Sequence, residues 1–289
     1  AIPYGTLSNI VSNIPSERIN LEVNKQGNLV IKTDNYEASL QGVDPKEFPL
    51  LSQVETKERL AQVDPVALRD VLARVIVAGE VSDLRPEISG ILFSGEMVEL
   101  KLTATDSFRL AEAKISGGQF KNNLKEGFKF TLPLRAAQEL VRIIKDEESG
   151  SLHVDKNQFF FETAELTLAS RLIEGNFPDY EAIVPREIDT EVLVDRDELT
   201  GALRLASAFA GRTNDVKLKV RDKKIVEVYS SDNAVGENNY LIPAKISGPA
   251  TEVAFNWRYF LDGLKGGSTE EVFLGLSGSE KPALIKNRG

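Results

Sequence analysis

The hydrophobic pattern switches repeatedly between two periods. Behind Asp64-Pro65, Leu68, Leu72, Val75, Ile76 and Gly79 fall at helical spacing on one face. Asp is a preferred N-cap, and Pro at the first helical position gives up only an N–H that has no partner there. A second helix of this kind opens at Asp195, with Glu198 three residues on and a stripe of Leu199, Leu203, Ala206 and Ala210. Another helix type is predicted from Pro133 to about Lys145, with similar segments near Tyr4–Asn13 and Asn256–Lys265. Between helices the period is two. Val98, Leu100 and Leu102 alternate with Glu99, Lys101 and Thr103, the pattern of a strand with one wet face. Phe159-Phe160-Phe161 and Leu166-Thr167-Leu168 also read as strands, and Glu147–Ser151 and Ser231–Asn233 as turns. Strands interrupted by two helices per unit imply α+β domains.

The units repeat. Ala-Lys-Ile-Ser-Gly occurs at 113–117 and again at 244–248, 131 residues later. Phe48-Pro49 returns as Phe177-Pro178, Val63-Asp64 as Val194-Asp195, and Ile2-Pro3 as Leu132-Pro133, all near the same period. A period of about 130 residues is a whole domain, not a solenoid unit of ~20–50 residues. Boundaries are expected near Glu55–Glu58 and Arg186–Thr190, just after each Phe-Pro element.

Composition narrows the function. The 289 residues suit about two domains, and 42% hydrophobic content is enough for packed cores. There is no cysteine, hence no disulfide, thiolate nucleophile or cysteine metal site, as suits a reducing compartment. No apolar run approaches the ~20 residues of a membrane span. The net charge of −9 argues against nucleic acid if read as an average. It leaves room for a local basic face.

Nothing in the chain requires catalysis. The one histidine, His153, reads as a half-exposed strand residue. The carboxylates lack metal-ligand spacing, and the Gly-Gly pairs at 117–118 and 266–267 resemble turns, not phosphate loops. The helices carry more. Arg135 and Arg142, seven residues apart, share a face opposite Ala137, Leu140 and Ile144, with Lys145 beside them. Arg258 and Lys265 repeat that spacing, while Arg74 and Arg204 lie off the apolar stripes of their helices. Taken one at a time these are ordinary exposed faces. Assembled across repeats, they would form one basic surface that meets phosphates without reading bases.

Two further segments carry a family resemblance. Residues 103–111 read Thr-Ala-Thr-Asp-Ser-Phe-Arg-Leu-Ala, and 175–185 read Gly-Asn-Phe-Pro-Asp-Tyr-Glu-Ala-Ile-Val-Pro. In order, within a domain repeat, they closely resemble the signatures of the bacterial DNA polymerase III beta subunit, the sliding clamp. The resemblance implies tandem clamp-type domains, with antiparallel sheets outside and helices lining a ring channel. Residues 1–56 would be the second half of a first domain, 57–187 a middle domain, and 188–289 a third domain without its last strand. The family's starting half-domain and its C-terminal apolar tail with Met-Pro have no counterpart here, which suggests an incomplete chain.

Several expectations follow from the resemblance. The protein would be a non-enzymatic processivity factor, a head-to-tail homodimer encircling duplex DNA without sequence preference, with no cofactor or metal. It would be cytoplasmic, bacterial and nucleoid-associated. Arg74, Arg135, Arg142, Lys145, Arg204, Arg258 and Lys265 would face the DNA channel, and Leu40 would meet the partner's Phe209 across the dimer interface. The helix at Tyr4–Asn13 has no Lys or Arg and would offer only Ser8 and Asn9. A pocket between the middle and third domains would bind linear peptides of the DNA polymerase III catalytic subunit, other polymerases, the clamp loader, and mismatch-repair and ligase-type proteins. Its walls would be Ile88, Thr105, Ser107, Phe108, Arg109, Leu110, Pro178, Ala182, Ile183, Asn256, Tyr259, Glu280 and Pro282, with Arg109 and Asn256 orienting the peptide. The competing expectations are a peptide-binding repeat scaffold that does not encircle DNA, and an enzyme built on a carboxylate cluster.

Overall fold

The computed structural model describes residues 1–15, 18–47, 60–123, 126–146, 149–155 and 157–287. The chain divides into two units, Ala1–Glu55 and Thr56–Gly289. The Phe48-Pro49 element and the boundary expected at Glu55–Glu58 lie outside the described residues.

The first unit is helix α1 (Tyr4–Asn13) followed by strands β1 (Asn20–Val23), β2 (Leu29–Lys32) and β3 (Glu37–Leu40). The strands form an antiparallel meander with β3 at an edge. Asn24 makes its first turn: its Oδ1 accepts from the N–H groups of Gln26 and Asn28, and Gly27 supplies a φ of +82°. Leu40 ends the edge strand, half-buried.

The second unit holds the repeat twice. The first copy runs β4 (Ala61–Val63), α2 (Pro65–Val75), β5 (Gly90–Gly95), β6 (Glu99–Thr105), β7 (Leu110–Ser116), β8 (Phe120–Asn122), β9 (Phe128–Pro133), α3 (Leu134–Ile143), β10 (Gly150–Asp155), β11 (Gln158–Glu162) and β12 (Thr167–Arg171). The second copy runs β13 (Thr190–Asp195), α4 (Arg196–Ser207), β14 (Asp215–Val220), β15 (Ile225–Asp232), β16 (Gly236–Ser247), β17 (Thr251–Asn256), α5 (Trp257–Lys265), β18 (Glu271–Leu276) and β19 (Leu284–Asn287). The first copy has sheets ordered β12-β11-β10-β4-β8 and β7-β6-β5-β9. The long β16 joins the equivalent strands of the second copy into one sheet, β17-β14-β15-β16-β13-β18-β19.

Each copy packs its own core. One gathers Leu68, Leu72, Phe93, Leu102, Leu140, Phe159 and Phe161; the other gathers Leu199, Leu203, Val216, Ile242, Phe260 and Leu274. Each fully buried aliphatic or aromatic side chain contributes about 1.5–3 kcal/mol.

The helices start where the sequence predicts. Asp64 Oδ1 accepts from the Ala67 N–H at 3.0 Å, and Asp195 Oδ1 from the Glu198 N–H at 2.7 Å. The repeated pentapeptides each close a strand with a glycine at positive φ, Gly117 at +67° and Gly248 at +114°. At Gly248 a Cβ would also strike the Asp189 carbonyl oxygen, so the site is closed to side chains.

Three local expectations change. The helix from Pro133 ends at Ile143, two residues early, leaving Lys145 exposed beyond the cap. His153 is buried, with 5% of its surface exposed, not half-exposed. It sits on central strand β10 beside buried Phe160 on one face, while Leu152 and Phe161 are buried on the other, so both faces of that strand are covered. The wet face expected at 98–103 holds only at Glu99 and Lys101, opposite buried Leu100 and Leu102. The strand begins at Glu99, Val98 is exposed, and Thr103 is fully buried. Thr103 lies opposite Glu112, where the segment around Tyr180 crosses the sheet.

Candidate functional site: a repeat junction and its basic helices

The turn between β6 and β7 is built by Thr105–Arg109. Asp106 Oδ1 accepts from the backbone N–H groups of Phe108 and Arg109, each at 2.9 Å. Thr105 Oγ1 accepts from the Ser107 N–H at 3.2 Å and donates to the Arg109 carbonyl at 2.7 Å. Arg85 Nη1 donates to Ser107 Oγ at 2.8 Å. These bonds hold Ser107 at φ +79°, a conformation that costs a non-glycine residue of order 1 kcal/mol and persists where surroundings over-determine it. The result is that Phe108 projects outward with 82% of its surface exposed.

The segment 177–183 is stapled beside this turn. Tyr180 donates its hydroxyl to Glu112 Oε2 on β7 at 2.6 Å, and Lys101 Nζ on β6 meets Glu181 at 3.3 Å. Burial, with the hydrogen bond to Glu112, pushes the Tyr180 phenol up to about 12. Phe177 packs edge-on against the Tyr180 ring. Leu110 is two residues from Glu112 and so on the same face of β7. The staple leaves Pro178, Ala182 and Ile183 exposed, Ile183 by 60%.

Arg109 joins this wall to the second copy of the repeat. Its Nε donates to Asp106 Oδ2 at 2.9 Å and its Nη1 to Asp262 Oδ2 on α5 at 2.7 Å. Its guanidinium lies 4.3 Å from the centroid of the Tyr259 ring, a cation–π contact. Burial lowers the Arg109 pKa, but the bonds to Asp262 and Asp106 outweigh it and leave the net shift upward. Burial pushes the Asp262 carboxyl up, yet Lys265 and Arg109 outweigh it and hold it below the usual aspartate value.

The structure therefore brings Thr105, Ser107, Phe108 and Arg109 together with Tyr259, and stations Leu110 beside the 177–183 segment. It changes the roles expected of two residues. Arg109 is committed to two carboxylates and a ring, so it holds the wall instead of waiting for a peptide. Asn256 caps α5, its Oδ1 accepting from the Arg258 N–H at 3.0 Å. Ile88 is buried, with 3% of its surface exposed, so it does not present a free pocket wall. Glu280 and Pro282 are exposed on the β18–β19 turn, where Ser279 donates to Glu280. Sequence reasoning missed Asp262, Tyr180, Glu112 and Arg85. Only Asp262 left a signal, lying three residues before Lys265 and four after Arg258.

The basic residues sit on exposed helix surfaces, as the periodicity requires. Arg74, Arg135, Arg142, Arg204, Arg258 and Lys265 are all exposed. Arg142 pairs with Glu139 at 2.7 Å and Lys265 with Asp262 at 2.9 Å, while Arg258 lies over Trp257. At the repeat junction two of these helices meet. Gly266, after α5, abuts the Arg74 side chain of α2, so that a Cβ there would stand 3.8 Å from Arg74 Cβ. Arg196 Nη1 donates to the Gly267 carbonyl at the same place. Cations at a helix C-terminus complement its dipole. Arg196 is a further basic residue of this cluster that helical spacing does not pick out. Phe209 is half-buried just past α4. Among the described residues no group of three or more His, Asp or Glu side chains could hold a metal ion, and no helix is long and apolar enough to cross a membrane.

Comparison with known proteins gives this geometry a family. Residues 62–179 match the model of the DNA polymerase III beta subunit central domain, and 181–289 that of its C-terminal domain. The beta sliding clamp of Staphylococcus aureus is 30% identical over 292 residues, covering 100% of this chain and 76% of the relative. The chain belongs to the bacterial beta sliding clamp family. The Bacillus subtilis relative is 30% identical over 285 residues, covering 96% of this chain and 74% of its own. The crystal structure of the DNA polymerase sliding clamp from Bacillus subtilis superposes with a TM-score of 0.88 at 29% identity, covering 100% of this chain and 76% of that one. The clamp fold read from the two motifs is thus the fold of the chain.

Proposed function

We infer that the protein is a DNA polymerase processivity factor, a sliding clamp that holds polymerase on duplex DNA. The observation that carries this reading is the match of the whole chain to beta sliding clamps at 30% identity. The basic helix surfaces support it, because contacts to phosphate are independent of sequence and permit sliding. An acidic protein with cations gathered on its helices suits a ring that touches DNA only from within.

In this reading residues 1–56, 57–187 and 188–289 belong to three clamp-type domains. Arg74, Arg135, Arg142, Lys145, Arg204, Arg258 and Lys265, now with Arg196, line the channel. Two chains close head to tail, with the β3 edge of one meeting the end of α4 of the other and Leu40 packing near Phe209. Covering the β3 edge also removes an exposed pairing surface. The ring performs no chemistry and works in the bacterial cytoplasm. Partners bind through linear peptides at the repeat junction: the polymerase III catalytic subunit, other polymerases, the clamp loader, and mismatch-repair and ligase-type proteins. A Leu or Phe anchor would bury against Leu110, Pro178 and Ile183, contributing roughly 1.5–3 kcal/mol.

The test is topological. The full-length protein, loaded on nicked circular DNA, should stay bound through gel filtration and run off once the circle is cut. Equal loss from circular and linear DNA would favour the non-encircling scaffold. Calorimetry with a Leu/Phe-anchored peptide then tests the junction: Ile183→Asp should abolish binding, and equal affinity would place the pocket elsewhere.

A further inference from the structure

We propose that Asp262 is a positioning residue that couples the DNA-facing end of α5 to the peptide site, so that phosphate on Lys265 tightens peptide binding. The proposal rests on the channel and pocket just described and deepens them. Asp262 spends both oxygens on cations of different duty. Oδ1 accepts from Lys265 Nζ at 2.9 Å, and Oδ2 from Arg109 Nη1 at 2.7 Å. Lys265 is exposed at the end of α5, next to Gly266 and Gly267, which meet exposed Arg74 and half-buried Arg196. Arg109 continues inward to Asp106 at 2.9 Å, and Asp106 holds the N–H groups of Phe108 and Arg109, also at 2.9 Å. A continuous chain of charge-assisted bonds thus runs from a phosphate-facing ammonium to the turn that presents Phe108.

The two cations compete for one carboxylate. With no DNA, Lys265 draws part of the Asp262 charge. The Lys265 side chain is 68% exposed and Asp262 25%, so a phosphate can take the ammonium while Asp262 stays in place. Asp262 is then left to Arg109 alone, their pairing strengthens, and the Thr105–Arg109 turn is held more firmly to Tyr259 and α5. A peptide that needs that wall in one position loses less ordering freedom on binding. The coupling must be reciprocal: whatever factor DNA applies to peptide affinity, peptide applies to DNA affinity.

The experiment uses the full-length protein, a synthetic linear peptide with adjacent Leu and Phe, and a short duplex at low salt, read by calorimetry. DNA should tighten peptide binding by about two- to fivefold, at or below the low end of typical couplings because Lys265 is exposed. Asp262→Asn should weaken the peptide without DNA and abolish the DNA effect, and Asp262→Glu should restore part of both. Lys265→Met should give, without DNA, the affinity that wild type reaches only with DNA, and no further gain when DNA is added. An unchanged wild-type Kd on adding DNA overturns the proposal, as does a DNA effect that survives in Asp262→Asn or Lys265→Met. Ile183→Asp run in parallel separates the two failures. If it binds peptide as wild type does, the pocket assignment itself falls and this proposal with it. If it does not bind, a flat DNA response indicts Asp262 alone.

Discussion

Helices α3 and α5 occupy the same place in successive repeats and carry the same charge pattern. Arg135, Glu139 and Arg142 fall at the spacing of Arg258, Asp262 and Lys265. Each acid pairs with the cation three residues ahead, Glu139 with Arg142 at 2.7 Å and Asp262 with Lys265 at 2.9 Å. The neighbourhoods differ. Glu139 is 52% exposed and meets a cation of its own helix. Asp262 is 25% exposed and also receives Arg109 from the preceding repeat. One pattern therefore makes a surface pair worth a few tenths of a kcal/mol in α3 and a joint between domains in α5. What turns a helix surface into an interface is the side chain that arrives from elsewhere, and helical periodicity carries no trace of it.

The largest expected effect breaks the likeness of the two helices toward DNA. Reversing Arg135 and Arg142 to Glu, or Arg258 and Lys265 to Glu, should weaken duplex binding in both cases. The slope of log K against log salt should become shallower by about 0.9 for each phosphate that the variant no longer neutralises. Only the α5 reversal should also change peptide affinity, because α5 is bonded to the β6–β7 turn through Asp262 and Arg109. Anisotropy titrations at several salt concentrations measure the first effect, and an unchanged slope would remove these residues from the channel.

Next in size is the cost of each acid. Asp262→Asn leaves Lys265 without its carboxylate and Arg109 with Asp106 alone, and should destabilise the second unit by about 1.5–3 kcal/mol. Glu139→Gln should cost no more than about 0.5 kcal/mol. Urea unfolding of the two variants decides between a joint and a surface pair, and equal midpoints would erase the difference between the two helices.

Much of the fold was legible for physical reasons. Asp64 and Asp195 cap because a short acceptor precedes a helical stripe, and the structure has both bonds. The Ala-Lys-Ile-Ser-Gly pair marked the repeat, and in the structure each copy closes a strand with a glycine at positive φ. Burial across chain-distant contacts was not legible. His153 and Thr103 look like wet-face residues, yet each lies on a strand covered from both sides, and the alternation shows only one. The same limit applies to the site. Residues 103–111 carried the family resemblance, but the reason for Arg109 lies 153 residues away at Asp262.

A smaller effect follows pH. Asp262 titrates below its ordinary value, about 3.9, so its contribution is complete above that value and fades as pH falls through the lower, folded-state value. Peptide affinity should be flat from neutral pH to about pH 5, as far as Asp262 governs it. A 13C-carboxyl titration should show Asp262 still charged at about pH 4. A joint already lost at about pH 5 would mean that Arg109 is not its partner in solution.

The smallest expected effect asks whether the joint needs the staple beside it. Tyr180 fixes the 177–183 segment to β7 through Glu112, independently of Asp262. Tyr180→Phe keeps the ring against Phe177 and removes one hydrogen bond to Glu112, whose exposed carboxylate water can solvate instead, so the cost is about 1 kcal/mol. The phenol is raised to about 12 from an ordinary value near 10. Its contribution to stability is therefore complete below about pH 10 and lost as pH climbs toward about 12. In an ultraviolet titration the variant should lack phenolate absorbance that wild type develops only at that upper end. The peptide measurement then sharpens the comparison. With the Arg109–Asp262 joint intact, Tyr180→Phe should weaken the peptide modestly, because Ile183 is less well fixed, while the response to DNA survives. If Tyr180→Phe abolished that response, the staple and not Asp262 would be the element that distinguishes α5 from α3.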